Sequence, residues 1–205
     1  MYRIRNNLVL GFHGCDETIR DDIINRRITF KPSDNDYDWL GNGMYFWENN
    51  LNRAYYWAVE NSKNPQNGKQ KIAKPAVLGA VISLGYCLDL LDSDYIPDLK
   101  VAYSVLEADC LSKGLLLKLN KCVNGSNEKL IRVLDCAVIE TLHTMRSELK
   151  EPSYDSIRAV FFEGDEAYPS AGFREKNHIQ ICVRNTNCIK GFFVPLEYNE
   201  KLPRV

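Results

Sequence analysis

The run Leu40-Gly41-Asn42-Gly43-Met44-Tyr45-Phe46-Trp47 places two glycines one residue apart directly before aromatic residues, and a second tyrosine, Tyr56, follows eleven residues after Tyr45. Glycines at such spacing let backbone come close to something flat and polar, and aromatic faces stack on it. Two other pieces bring polar groups: His13-Gly14-Cys15 at the end of the first apolar run, and Gln180 inside the strand-like His178-Ile179-Gln180-Ile181-Cys182-Val183. The three together point to a site that holds a planar ring by stacking and by hydrogen bonds.

The elements that must position these groups are legible from pattern. Leu8 to His13 is a short apolar, β-favouring run ended by Gly14, which predicts a buried strand delivering His13 at its end. Asp16 or Thr18 caps a helix expected to run to about Arg27 with Ile19, Ile23 and Ile24 inward. Residues 31 to 39 are turn-rich. Asn49 or Asn50 caps a second helix with Ala54, Trp57 and Ala58 on one side, and on that helix Tyr56 falls off the apolar stripe. Ala76 to Gly85 is apolar on both faces, as for a central strand. From about 96 to 150 the pattern is helical: Ser126 is a candidate cap, and Leu130, Val133, Leu134, Ala137, Val138, Thr141, Leu142 and Met145 recur at three- and four-residue steps. His143 is expected on the polar side of that helix. Strands return at Ile157–Phe162, Ile179–Val183 and Ile189–Val194. This order predicts one α+β domain spanning residues 1–205, with a helical insertion at about 96–150, and not a doubly wound sheet.

Composition bounds the function. The 205 residues suit a single domain, and 45% hydrophobic and 26% charged residues with a formal net charge of −1 describe an ordinary globular protein. No basic excess marks a dominant phosphate-binding surface, although Lys63, Lys69, Lys71 and Lys74 make a local patch. The seven cysteines are scattered, with no C-x-x-C and no clustered histidine, which predicts reduced thiols and no metal. Neither a signal peptide nor a membrane span is visible, so the expected location is cytoplasmic.

These residues resemble the ADP-ribosyltransferase family, in the branch that includes the poly(ADP-ribose) polymerases and is named for a His-Tyr-Glu triad. His13-Gly14-Cys15 and Ile23 match its first strand and following helix; Gly41, Gly43, Tyr45, Phe46, Ala54 and Tyr56 match G-x-G-x-Y-F and A-x-Y without insertion. Leu78-Gly79-Ala80-Val81-Ile82-Ser83-Leu84-Gly85 is close to the family's L-G-x-V-x-L-G with one extra residue, and alignment on Asn185 and Ile189 puts the family's glutamate on Gln180. The resemblance covers residues 8–91 and 157–195 and implies two small, mostly antiparallel sheets.

It also implies NAD+ as substrate, with no metal, and a reaction that breaks the bond between nicotinamide and its ribose through an oxocarbenium-like centre. Tyr45 and Tyr56 would sandwich the nicotinamide, Gly14 and Cys15 would grip its carboxamide beside Gly43, and His13 would bond a ribose hydroxyl of the adenosine half. Two departures matter. The Cys15 thiol donates more weakly than the family's hydroxyl, and Gln180 carries no charge and takes up no proton. Chain elongation is therefore not expected. The reading is an intracellular mono-ADP-ribosyltransferase of the His-Tyr-Gln kind, with a protein or nucleic-acid acceptor; by analogy it suits a toxin-like effector of bacterial or phage origin. Glu163, Glu166 and Glu175 are candidate helping carboxylates, and the loop 164–177 would select the acceptor. The alternatives are a non-catalytic NAD+ or ADP-ribose binding module, or a partner-docking protein whose pocket is vestigial.

Overall fold

The computed structural model describes residues 4–64, 71–122 and 129–196. Six strands form one hydrogen-bonded sheet: β1 (Ile4–Asp16), β2 (Met44–Glu48), β3 (Pro75–Asp89), β4 (Ser156–Phe161), β5 (His178–Val183) and β6 (Ile189–Phe193). Four α-helices flank it: α1 (Glu17–Ile24), α2 (Leu51–Lys63), α3 (Ile96–Ser112) and α4 (Val133–Glu148). The class is α+β, as composition and pattern predict.

The strands run in the order β1-β2-β5-β4-β3-β6, and β1 also pairs with β3, so five of them close a ring. The resemblance predicts two sheets; the structure has one, because β3 pairs with β1, β4 and β6 at once. With 15 residues it is long enough to hold β1 on one edge and β6 on the other, then to pair its last residues, Cys87 to Asp89, in parallel with Ser156 to Arg158 of β4. All other pairings are antiparallel, which makes the sheet mixed. β1 exceeds the expected Leu8–His13 because pairing with β3 continues to Asp16 opposite Pro75. There Asp16 caps α1, accepting from the Thr18 N–H at 2.9 Å and also from Ala73 and Lys74 N–H, so its carboxylate titrates far below the usual range. α1 ends at Ile24, three residues before the expected end, and Arg26 turns the chain with φ 57°.

Met44, Phe46, Ile82, Leu84, Ile181 and Val183 pack together within the ring. A second cluster, Leu40, Leu88, Ile139, Leu142, Tyr154 and Ile157, joins α4 to the outer face of the sheet. Within the expected insertion the described residues form two helices, α3 and α4; Ser126 lies outside the described residues. The start of α4 is served by Asn120, whose Oδ1 accepts from the Leu134 and Asp135 N–H groups.

His143 corrects the sequence expectation. It sits four residues after Ile139 and seven after Cys136, on the buried stripe of α4, and is 7% exposed with its ring edge against Tyr154. Its Nε2 is buried without a partner. Burial, reinforced by Arg184 and Arg146 against the opposing Glu140, lowers its pKa from 6.5 to about 4. The unfolded chain binds this proton near pH 6.5 and the native state only near 4. Stability is therefore complete above pH 6.5 and falls by about 3 kcal/mol as pH drops to 4. Denaturant melts of His143→Phe at pH 7 and 4.5 should show most of that slope removed. An unchanged slope would contradict a buried neutral imidazole.

Candidate functional site

The end of β1, Ile19 of α1, β2, Trp57 in the middle of α2, β5 and the loop before β2 line a cavity of about 740 Å³, within the range of sites for cofactor-sized ligands. Six of the seven site residues read from the sequence line it: His13, Gly14, Cys15, Gly43, Tyr45 and Gln180. Tyr56 does not.

β1 carries His13 to the wall. Its Nδ1 lies 2.9 Å from the Tyr45 carbonyl, which can only accept, so Nδ1 holds the proton and Nε2 is left as an acceptor. The ring is wedged at its edges by Phe30 and Phe46, with centroids 4.8 and 6.2 Å away. Burial lowers its pKa despite the bond to Tyr45, so the imidazole is neutral at pH 7. Cys15 is buried, and burial raises its thiol to about 11, which keeps it protonated near neutrality.

The glycines have distinct reasons. A Cβ on Gly14 would meet the Ala54 carbonyl oxygen at 2.2 Å and the Trp57 ring at 3.1 Å, so this glycine lets α2 lie against β1. Gly41 has φ 75°, a left-handed conformation, and a Cβ there would collide with Glu140. Gly43 packs against Cys182, its missing Cβ falling 2.5 Å from Sγ, and exchanges two backbone hydrogen bonds with Ser33, which brings the loop 31–39 over the cavity.

Tyr45 closes this glycine loop. Its hydroxyl donates to the Gly41 carbonyl at 2.7 Å and accepts from the Leu40 N–H at 2.9 Å, and the residue lines the cavity. Burial raises its pKa well above the phenol range, so it stays protonated. α4 secures the loop from the other side: Glu140 accepts from the Asn42 N–H and is paired with Arg184, whose Nη1 also reaches the Asn42 carbonyl. The helical insertion, which the family resemblance leaves unmatched, therefore fixes the loop that carries the site.

Gln180 lies opposite Trp47 in the β2–β5 register, and its Oε1 accepts from the Trp39 indole at 2.7 Å.

Tyr56 is 59% exposed on α2, and Trp57 takes its place in the cavity wall. The cause is helical phase. With Ala54 and Ala58 fully buried, Trp57 falls on the inward side and Tyr56 is rotated away. The periodicity of the sequence places Trp57 inside and Tyr56 off the stripe; the family alignment places Tyr56 at the ligand, and the structure follows the periodicity.

Several wall residues carry no functional signal in the sequence. Trp39 and Asp38 sit in the turn-rich stretch 31–39, and Lys31 at its start. Asp38 accepts from the Asn35 N–H at 3.0 Å. Lys31 and Lys71 are exposed at the cavity and have no ion pair among the described residues. A tryptophan next to Leu40 in an otherwise polar stretch is the one signal that marks this loop as packed. Lys69 of the basic patch lies outside the described residues, and Lys74 is paired with Glu17.

None of the candidate helping carboxylates is part of the wall. Glu163 is bound to Arg53 at 2.7 Å, Glu166 accepts from the Ser170 N–H, and Glu175 joins the loop's own backbone pairing. The acidic wall residues are Asp16 and Asp38. In the loop 164–177, Tyr168 and Phe173 are exposed. Among the described residues no helix is long and apolar enough to cross a membrane, and no cluster of metal-ligating side chains occurs.

No protein-family model matches the chain, and no curated protein matches it. Among solved structures, the crystal structure of an anti-CRISPR protein is similar over 88% of this chain and 93% of its own, at a TM-score of 0.35 and 12% identity, a likeness too slight to bear on fold or function.

Proposed function

We propose that the cavity binds NAD+, that the domain has an ADP-ribosyltransferase-like fold, and that the chain transfers single ADP-ribose units to a macromolecular acceptor. The observation that carries this reading is the convergence of His13, Gly14, Cys15, Gly43, Tyr45 and Gln180, from segments up to 167 positions apart, on one cavity of suitable size. The lining supports it further. Tyr45 and Trp57 offer aromatic surface for a nicotinamide ring, His13 Nε2 offers an acceptor for a ribose hydroxyl, and Lys31 and Lys71 supply positive charge for a diphosphate.

In the reaction the bond between ribose C1′ and the nicotinamide nitrogen breaks, with its electron pair leaving on neutral nicotinamide. The acceptor's nucleophilic atom forms the new bond to C1′ and gives its proton to solvent. The wall offers only a neutral amide where the family has a carboxylate, so the acceptor must be nucleophilic without deprotonation by Gln180. Purified protein is expected to release nicotinamide from NAD+ when a cell lysate supplies acceptors, and to leave one ADP-ribose per modified site by mass spectrometry. NAD+ left intact in the lysate would refute the transferase reading.

One observation favours a second reading, in which the domain holds NAD+ or ADP-ribose without turning it over. The oxygen of Gln180, the atom that could support a ribosyl cation, is taken up by Trp39. Tight NAD+ binding without nicotinamide release would select it.

A further inference from the structure

Trp39 is a wall shared by two cavities, the one above and another of about 420 Å³ bordered by α3 and α4. Its indole is held firmly. The Phe161 ring meets it edge-on at 4.8 Å, and the Arg132 guanidinium lies over it at 4.7 Å while paired with Asp135 in the first turn of α4. From this fixed position Nε1 meets the Gln180 side chain at 2.7 Å. An indole N–H only donates, so the amide atom it meets is the oxygen. The NH2 end of Gln180, half-buried at the cavity and without a partner among the described residues, is left for a ligand.

Resting on the NAD+ reading, we infer that Trp39 is the positioning residue that determines what Gln180 recognises: it locks the amide as a donor, so the site grips an acceptor oxygen of the ligand's ribose, and the amide oxygen, held at the indole, is kept from turning toward a ribosyl cation. The lock favours retention of NAD+ over its cleavage. A glutamate at position 180 has no donor end to choose between; it would accept from Trp39 with one oxygen and keep the other for the ribose.

The test is a double-mutant cycle of Trp39→Phe and Gln180→Glu, read as nicotinamide release and NAD+ dissociation constant. In the Gln180 background, Trp39→Phe frees the amide to turn, and release should rise about fivefold while NAD+ binds about threefold more weakly, the scale of one hydrogen bond. In the Gln180→Glu background the same change should not raise release. Equal effects in both backgrounds, or none in the first, would overturn the inference. A ligand-free readout separates this from the NAD+ reading: the Trp39 indole proton resonance should move upfield in Gln180→Ala. If it moves while wild-type protein binds no NAD+, the lock stands and the NAD+ reading fails; if it does not move, the lock is absent whatever NAD+ does.

Discussion

Arg158→Ala should destabilise the domain by about 3–5 kcal/mol. Arg158 on β4 donates to both carboxylate oxygens of Glu48 on β2 and lies 3.3 Å from the carboxylate of Asp89 at the end of β3. The three side chains are only 12%, 10% and 4% exposed. They sit where β4 joins the end of β3, the contact that closes the ring of strands. Truncating the arginine leaves the Glu48 carboxylate with little water and without its arginine, near a second buried carboxylate, and a buried charge stripped of its partner costs more than the pair contributes. For a chain of this length the melting temperature should fall by roughly 10 °C. Adding Glu48→Gln removes one abandoned charge and should recover part of the loss. If calorimetry finds the single variant within about 2 °C of wild type, water reaches this corner and the network is a surface feature.

Gly14→Ala should cost about 3 kcal/mol, and NAD+ affinity should fall at least tenfold. The added methyl would lie 2.2 Å from the backbone oxygen of Ala54, a residue with no exposed surface, so no side chain can swing aside. α2 must move away from β1, which takes Trp57 out of the cavity wall. Thermal melts read the first effect and calorimetric titration the second. Alanine at this position with wild-type stability would mean that α2 slides freely. The family resemblance assigns Gly14 to a carboxamide; its packing against Ala54 is a sufficient reason for glycine by itself.

Much of this architecture can be read from local pattern because it is written locally. Asn50 and Asp16 cap helices with their own side chains, Ala54 and Ala58 define the buried face of α2, and the largely apolar β3 is central as its composition predicts. The misses arise where long-range partners decide. His143 is at a helical step from Ile139, but only contact with Tyr154 makes that side interior. β3 runs on to Asp89 because Arg158, 69 positions away, waits beside it. The site was legible in its glycines, histidine and first tyrosine. It was not legible in Trp39, whose role depends on Gln180, 141 positions later. Trp57 is legible as an inward residue from its spacing with Ala54 and Ala58, but not as a wall of the site, a place the family spacing gives to Tyr56.

The most direct measurement is a calorimetric titration of NAD+ into wild-type, Tyr45→Ala and Tyr56→Ala proteins, with circular dichroism verifying that each is folded. One NAD+ should bind per chain, with binding lost in folded Tyr45→Ala and kept in Tyr56→Ala, whose side chain points away from the cavity. No binding to wild-type protein, or binding that depends on Tyr56 and not on Tyr45, would contradict the assignment of this cavity to NAD+.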